Sequence, residues 1–308
     1  MDIFTVVLII VGLCLFEVIS SIDNAIINAD VLATISKPSR KWFFFLGMFF
    51  AVFVVRGLLP WLVLWASNPS LGPIGSFLHS FSSDPQVIKS IEVSSPILLA
   101  GAATFLLFLF FHWLFLEPKN ALFFTEKFFQ SNFYLFYSFV SVMLLAIVWM
   151  SLKISNAMAL SAVIGATVFY LAEGIRTFAE EKAKKIHIKG FSDAGKIAYL
   201  EVLDATFSVD GVVGAFAFTL SVPLILIGNG IGALVVRQLT IKNLSIIKKL
   251  KYLKKGAMYS IFVLAVIMLA NSFGYLVPKW VPPVSTFAIV GFFFYISYSD
   301  LRRNKLIG

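Results

Sequence analysis

The chain has 308 residues, 59% of them hydrophobic and 16% aromatic, with a mean hydropathy of +0.92 and only 13% charged side chains, about half the charged fraction of an ordinary soluble domain. Apolar runs long enough for a helix to cross a hydrocarbon core of about 30 Å recur throughout, which excludes a sizeable water-soluble domain and gives an all-α, polytopic membrane protein with one transmembrane domain over 1–308. The net charge of +9 does not call for nucleic acid, because the basic residues lie in short segments between apolar runs, where membrane topology accounts for them.

The first predicted helix covers 3–28. Asp2, the lack of a basic leader and Glu17 mark it as a retained span rather than a cleaved signal. Its Cys14 is the chain's one cysteine, so neither an internal disulfide nor a thiolate metal site is available. Eight more spans are predicted at 42–65, 95–116, 132–152, 156–173, 197–220, 223–240, 256–276 and 283–299. Of the 25 Lys and Arg residues, 20 fall in alternate segments at 37–41, 119–127, 176–196, 242–255 and 302–305. The opposite segments hold only Lys89, Lys153 and Lys279, while Arg56 and Arg237 lie inside predicted spans. Basic residues favour the cytoplasmic side of short loops, which sets the N-terminus outside and the C-terminus inside.

Two landmarks recur in the same order. Glu17-Val-Ile-Ser-Ser21-Ile-Asp23-Asn24 lies over Asp204-Ala-Thr-Phe-Ser208-Val-Asp210-Gly211, and Ala51-Val-Phe-Val-Val-Arg56 over Gly232-Ala-Leu-Val-Val-Arg237. The copies start five helices apart and so cross in opposite senses, an inverted-topology repeat of the kind from which many transporters are built. Helices 1–3 (residues 3–116) form the first repeat and helices 6–8 (197–276) the second. Residues 117–196 are a connector with two helices and a basic cytoplasmic loop, and 277–308 a ninth helix and tail.

A carboxylate at membrane depth costs at least about 2.5–3.5 kcal/mol, and Glu17, Asp23, Asp204 and Asp210 occupy matching places in the two halves. On an unbroken helix, acids six residues apart point about 120° away from each other. Breaks are therefore predicted near Ser21 to Asn24 and Ser208 to Gly211, letting both acids of each copy turn inward. Carboxylates, hydroxyls and the Asn24 amide are hard donors that suit Mn²⁺, Mg²⁺ or Ca²⁺. The expected metal ligands are Glu17, Ser21, Asp23, Asn24, Asp204, Ser208 and Asp210, with Arg56 and Arg237 as counter-ion or gating residues or, equally, interface anchors. Protons are expected to take the metal's place on these acids, with Glu17 and Asp204 the favoured proton-sensitive pair.

These motifs resemble the TerC family of integral membrane proteins, within the lysine-exporter and cation-exchanger superfamily. The resemblance covers about 5–299 and is that of a divergent branch, with a longer connector and Gly211 where the first copy has Asn24. It implies manganese export across the cytoplasmic membrane, with the acids of both motifs as the ion site.

Other residues take plainer readings. His112 and Glu117 are interfacial, the Phe-rich stretches are lipid-facing bulk, and Glu173, Glu180, Glu181 and nearby lysines form a solvated loop. Lys248 to Lys255 read as positive-inside residues, with contact to anionic lipid the alternative, and Asn229 and Asn271 as helix-joining residues, with extension of the site the alternative. No nucleotide-binding G-x-x-x-x-G-K-[ST] loop is present, so an ion gradient must supply the work and no cofactor or enzymatic activity is expected. The alternatives are export of an amino acid or other small cation, an intramembrane aspartyl hydrolase, and a membrane partner of the secretion machinery. The expected partners are the lipid bilayer, a metal ion and protons, and no nucleic acid.

Overall fold

The computed structural model describes residues 2–22, some positions between 25 and 65, and 72–80, 85–186, 192–242 and 250–307. Within them lie helices α1 (Ile3–Ser20), α2 (Gly72–Ser80), α3 (Pro85–Leu116), α4 (Phe124–Ser131), α5 (Phe136–Leu152), α6 (Asn156–Ile186), α7 (Asp193–Phe207), α8 (Val209–Ala215), α9 (Val222–Lys242), α10 (Leu253–Ser272) and α11 (Val281–Ile307). Among the described residues seven segments are long and apolar enough to cross a membrane: Ile3–Ser20, Val93–Leu116, Phe133–Leu152, Asn156–Phe178, Val222–Leu239, Leu253–Ser272 and Val281–Arg303. Each falls on a predicted span. Most of the second predicted span, 42–65, including Arg56 and its local repeat, lies outside the described residues. The sixth, 197–220, is divided between α7 and α8.

α3 is the central helix, with 83% of its span buried, whereas α5 has 22%. Its phenylalanines pack inward: Phe105, Phe108, Phe110 and Phe115 are all buried. Phe108 meets Phe169 of α6 at 5.7 Å between ring centroids, and Phe110 meets Phe262 of α10 at 4.6 Å. The reading of the Phe-rich stretches as lipid-facing bulk is corrected for α3, whereas Phe128, Phe133, Phe292 and Phe294 stay exposed, as do Leu145, Trp149, Leu160 and Leu171 on the outer faces of α5 and α6. Hydropathy does not separate a ring against lipid from a ring against another helix, since both media are apolar.

Small residues set the helix spacing. A Cβ on Gly101 of α3 would lie 2.7 Å from the Ser161 carbonyl of α6, and one on Gly165 would overlap the Gly101 carbonyl, so these two backbones touch. α1 packs in the same way on α9, whose Gly228 and Gly232 form a small-x3-small stripe. Cβ atoms there would lie 2.5 Å from Leu13 Cβ and 2.6 Å from Glu17 Cβ.

α6 corrects the solvated-loop reading of Glu173, Glu180 and Glu181, because the helix runs on to Ile186. Residues 175–186 are mostly Ala, Glu, Lys and Arg, good helix formers with neither Gly nor Pro among them. Their polarity reports position beyond the hydrocarbon, not an irregular backbone.

The positive-inside lysines also do more than mark topology. Lys119 Nζ donates to the Leu114 and Glu117 carbonyls at 2.8 and 3.2 Å, closing the C-terminus of α3. Lys255 of α10 is buried in an ion pair with the fully buried Glu126 of α4, whose other oxygen accepts from Tyr259 at 3.1 Å. Lys254 pairs with Glu117. Glu126 also accepts from Leu122 N at 2.6 Å, so one carboxylate fastens α4 to α10 and fixes the turn before it. Removing one partner of a buried ion pair costs about 3–5 kcal/mol, whereas exposed pairs are worth about 0–1 kcal/mol. Glu126→Gln is therefore expected to lower the thermal midpoint of the detergent-solubilised protein strongly. Asp300→Asn, which removes the partly exposed Lys251 pair, is expected to shift it little, and equal shifts would contradict this account.

Candidate functional site

The helix interruptions fall at equivalent serines. α1 stops at Ser20, and Ser21 has φ −87° and ψ 4°; α7 stops at Phe207, and Ser208 has φ −85° and ψ −8°. Ser208 N–H donates to Ala205 O at 3.3 Å, three residues back, so the helix tightens by part of a turn before α8 begins. The predicted break in the second copy thus lies at Ser208, confined to that residue, and α8 continues through Asp210 and Gly211.

Glu17 is buried where α1 meets α8 and α9. Ser21 Oγ donates to Glu17 Oε1 at 2.7 Å. A Cβ on Gly211 would lie 2.9 Å from Glu17 Oε2, and one on Gly232 would lie 2.8 Å from Glu17 Cγ. Two glycines from the second half therefore make the slot that holds the acid of the first. Asn229 Nδ2 donates to the Gly211 carbonyl at 3.4 Å, joining α9 to α8 as read from the sequence. Asn271 instead stays local, accepting from Val277 N at 2.8 Å.

Asp210 is half-buried and lines a cavity of about 30 Å³ with Val209, Phe105 and Leu109 of α3, and Phe169, Ala172, Glu173 and Arg176 of α6. By volume this holds about two waters. On the same wall His112 Nε2 lies 3.6 Å from Glu173 Oε1, so His112 is not a bystander at the interface. Just beyond the span, burial alone would raise the Glu117 carboxyl, but the Lys254 ammonium outweighs it and holds the group below the ordinary carboxylate range.

Asp204 has a different neighbourhood. Its Oδ2 lies 3.3 Å from Arg237 Nη2, and Glu201 Oε2 lies 3.4 Å from the same nitrogen. Arg237 Nη1 donates to the Phe43 carbonyl at 2.7 Å, and the guanidinium sits 4.7 Å from the Phe43 ring centroid. Arg237 is buried and serves as a counter-ion. Asp23, Asn24 and Arg56 lie outside the described residues, and among those described no group of three or more His, Cys, Asp or Glu side chains is gathered closely enough to hold a metal.

Four oxygens on different elements are buried without a hydrogen-bond partner among the described residues: Ser208 Oγ, Asn229 Oδ1, Asn28 Oδ1 and Glu201 Oε1. A buried acceptor left unmade costs about 1–3 kcal/mol, and such oxygens fit a hard cation or ordered water. Sequence reasoning missed Glu201 and Arg176. Both were legible by helical spacing, Glu201 three residues before Asp204 and Arg176 three after Glu173. It also missed the Gly228-x3-Gly232 stripe, a known signal for close helix approach.

The two glycines are expected to respond differently to alanine. A methyl on Gly211 meets the movable end of Glu17, while one on Gly232 meets Glu17 Cβ and the Cys14 carbonyl. Overpacking costs about 1–3 kcal/mol. Gly232→Ala is expected to lower the melting midpoint by several degrees and Gly211→Ala to leave it near wild type. The reverse order in a thermal unfolding assay would refute the slot.

The chain matches, over residues 22–305, the family described as "Protein of unknown function (DUF475)". The matched region takes in Asp23, Asn24, Asp204, Ser208 and Asp210 but begins after Glu17 and Ser21. Over 109 residues the chain is 29% identical to a Bacillus subtilis (strain 168) protein named "Uncharacterized membrane protein YceF", a match covering 34% of this chain and 42% of that one. No solved structure matches.

Proposed function

This chain belongs to the DUF475 family, and from that premise and the surroundings of Glu17 we propose that it is a secondary active transporter, TerC-like, that exports a divalent cation across the cytoplasmic membrane. The cargo is a hard ion, Mn²⁺ before Mg²⁺ or Ca²⁺, exchanged for protons. The observation that carries this reading is the burial of Glu17 against Gly211 and Gly232 of the second half, with Asp210 the residue before Gly211 on α8 and Asn229 donating to the Gly211 carbonyl. Carboxylate, hydroxyl and amide oxygens match the ligand preference of these ions.

The packing supports an inverted repeat. α1 touches α8, and α3 touches α10, so the first and third elements of one proposed half each meet their counterparts in the other. The serines that interrupt α1 and α7 share one backbone conformation and one motif position. Between these halves the site has access to alternate sides of the membrane when they rock.

The test is flux of Mn²⁺, Ca²⁺ and protons in liposomes holding wild type, Glu17→Gln, Asp23→Asn or Asp210→Asn. Losing a charged ligand removes about 1.5–3 kcal/mol, or about 10- to 150-fold in apparent affinity. Each variant is expected to show that loss for Mn²⁺, with proton counterflow falling in step. Wild-type Mn²⁺ flux in both Glu17→Gln and Asp210→Asn would end the proposal.

A further inference from the structure

A proton carried on Asp210 has to leave before that carboxylate can hold a metal ion again, and an apolar interior offers few acceptors. Asp210 of α8 opens on the cavity of about 30 Å³, which by volume holds about two waters. Phe105, Leu109, Phe169, Ala172 and Val209 on its wall cannot take up a proton, and the Arg176 guanidinium stays protonated. Glu173 of α6 is the remaining wall residue, and so the acceptor that water in the cavity reaches.

Behind Glu173 stands a second group. Glu173 Oε1 lies 3.6 Å from His112 Nε2, a small side-chain movement short of a hydrogen bond. The imidazole makes T-shaped contacts with Phe136 of α5 and Phe169 of α6, at 5.6 and 5.7 Å between ring centroids. Phe169 is itself part of the cavity wall, so His112 sits directly behind that wall. The charged groups around the ring are Glu173 and Arg176 of α6, Glu117 of its own helix and Lys254 of α10. Glu117 and Lys254 pair just beyond the span, on the side that the Lys and Arg distribution assigns to the cytoplasm. Asp210, the cavity, Glu173 and His112 thus form one series from the candidate ion site to that edge.

We propose that Glu173 and His112 are the cytoplasmic proton relay of the exchanger. The inference rests on the proposed reading of Asp210 as an acid that carries metal and protons in turn, and neither relay residue is a metal ligand. Protonated Asp210 gives its proton to a cavity water, which passes one on to Glu173; Asp210 is left as the carboxylate and Glu173 as the carboxylic acid. Glu173 then transfers the proton to the lone pair of His112 Nε2 and becomes a carboxylate again. The imidazolium releases one proton to water at the cytoplasmic edge, which restores the neutral ring. Histidine suits this last step because its ordinary pKa lies near neutrality, so it both takes and gives up a proton at physiological pH.

Metal-for-metal exchange needs no such path, whereas Mn²⁺ movement driven by a pH gradient does. The experiment compares, in the same proteoliposomes, net Mn²⁺ flux driven by a pH gradient with exchange of radiolabelled for unlabelled Mn²⁺ at equal pH. In Glu173→Gln and in His112→Gln the ratio of driven flux to exchange is expected to fall at least about tenfold, less than the roughly 100-fold that a positioned acid or base ordinarily supplies. Glu173→Asp, which keeps a proton-accepting carboxylate on the wall, is expected to retain most of the ratio. A parallel loss of both fluxes, an unchanged ratio in either glutamine variant, or a ratio in Glu173→Asp as low as in Glu173→Gln would overturn the relay and leave the transporter reading standing. Wild-type protein that moves Mn²⁺ in neither mode would overturn both.

Discussion

The structure turns on how one carboxylate is lodged in a membrane interior. Glu17 has no exposed surface; its stem fits against the backbone of α9 because residue 232 carries no side chain, and its head lies beside Gly211 of α8. The same stripe, extended to Gly228, brings α1 against α9 in backbone contact, while Ser21 reaches Glu17 from one turn on along its own segment. Burial of such a group is unfavourable by a few kcal/mol at least. A helix that places an acid there is matched by a partner helix that clears space for it.

From this lodgement the rest of the polar organisation follows. The second motif does not repeat the arrangement of the first acid for acid. Asp204 goes to Arg237 and Glu201, a cluster closed by the Phe43 carbonyl, while Asp210, past the interruption at Ser208, turns to the cavity between α3 and α6. Two acids six residues apart thus serve separate surroundings, one ion-paired and one next to space for water or an ion. Backbone contact between α3 and α6 at Gly101 and Gly165 holds that cavity's walls at a fixed spacing.

Much of this was legible in the amino-acid order, and what was not has physical reasons. Hydropathy located each described span to within a few residues, and the motif located the interruption at Ser208, although it does not bring Asp204 and Asp210 to one place as expected. Hydropathy alone misread the phenylalanines of α3, because apolar neighbours in lipid and in protein have the same transfer chemistry. It misread residues 174–186 as a loop because polarity tells where the hydrocarbon ends, while helix propensity tells where the helix ends, and here the two differ by more than two turns. Lys255 looked like a topology marker, yet its burial against Glu126 depends on α4 folding back over α10, a contact between segments more than 100 residues apart. Asp23, Asn24 and Arg56, named from the motifs, lie outside the described residues.

Locating the ion itself is the most direct check. Crystals or frozen particles of the protein equilibrated with Mn²⁺, with the metal identified by anomalous scattering in the crystal, would show where a hard cation binds. The account predicts one ion about 2.0–2.3 Å from carboxylate oxygens of both Glu17 and Asp210. An ion bound instead between Glu201 and Asp204, or no bound ion at saturating Mn²⁺, would contradict it.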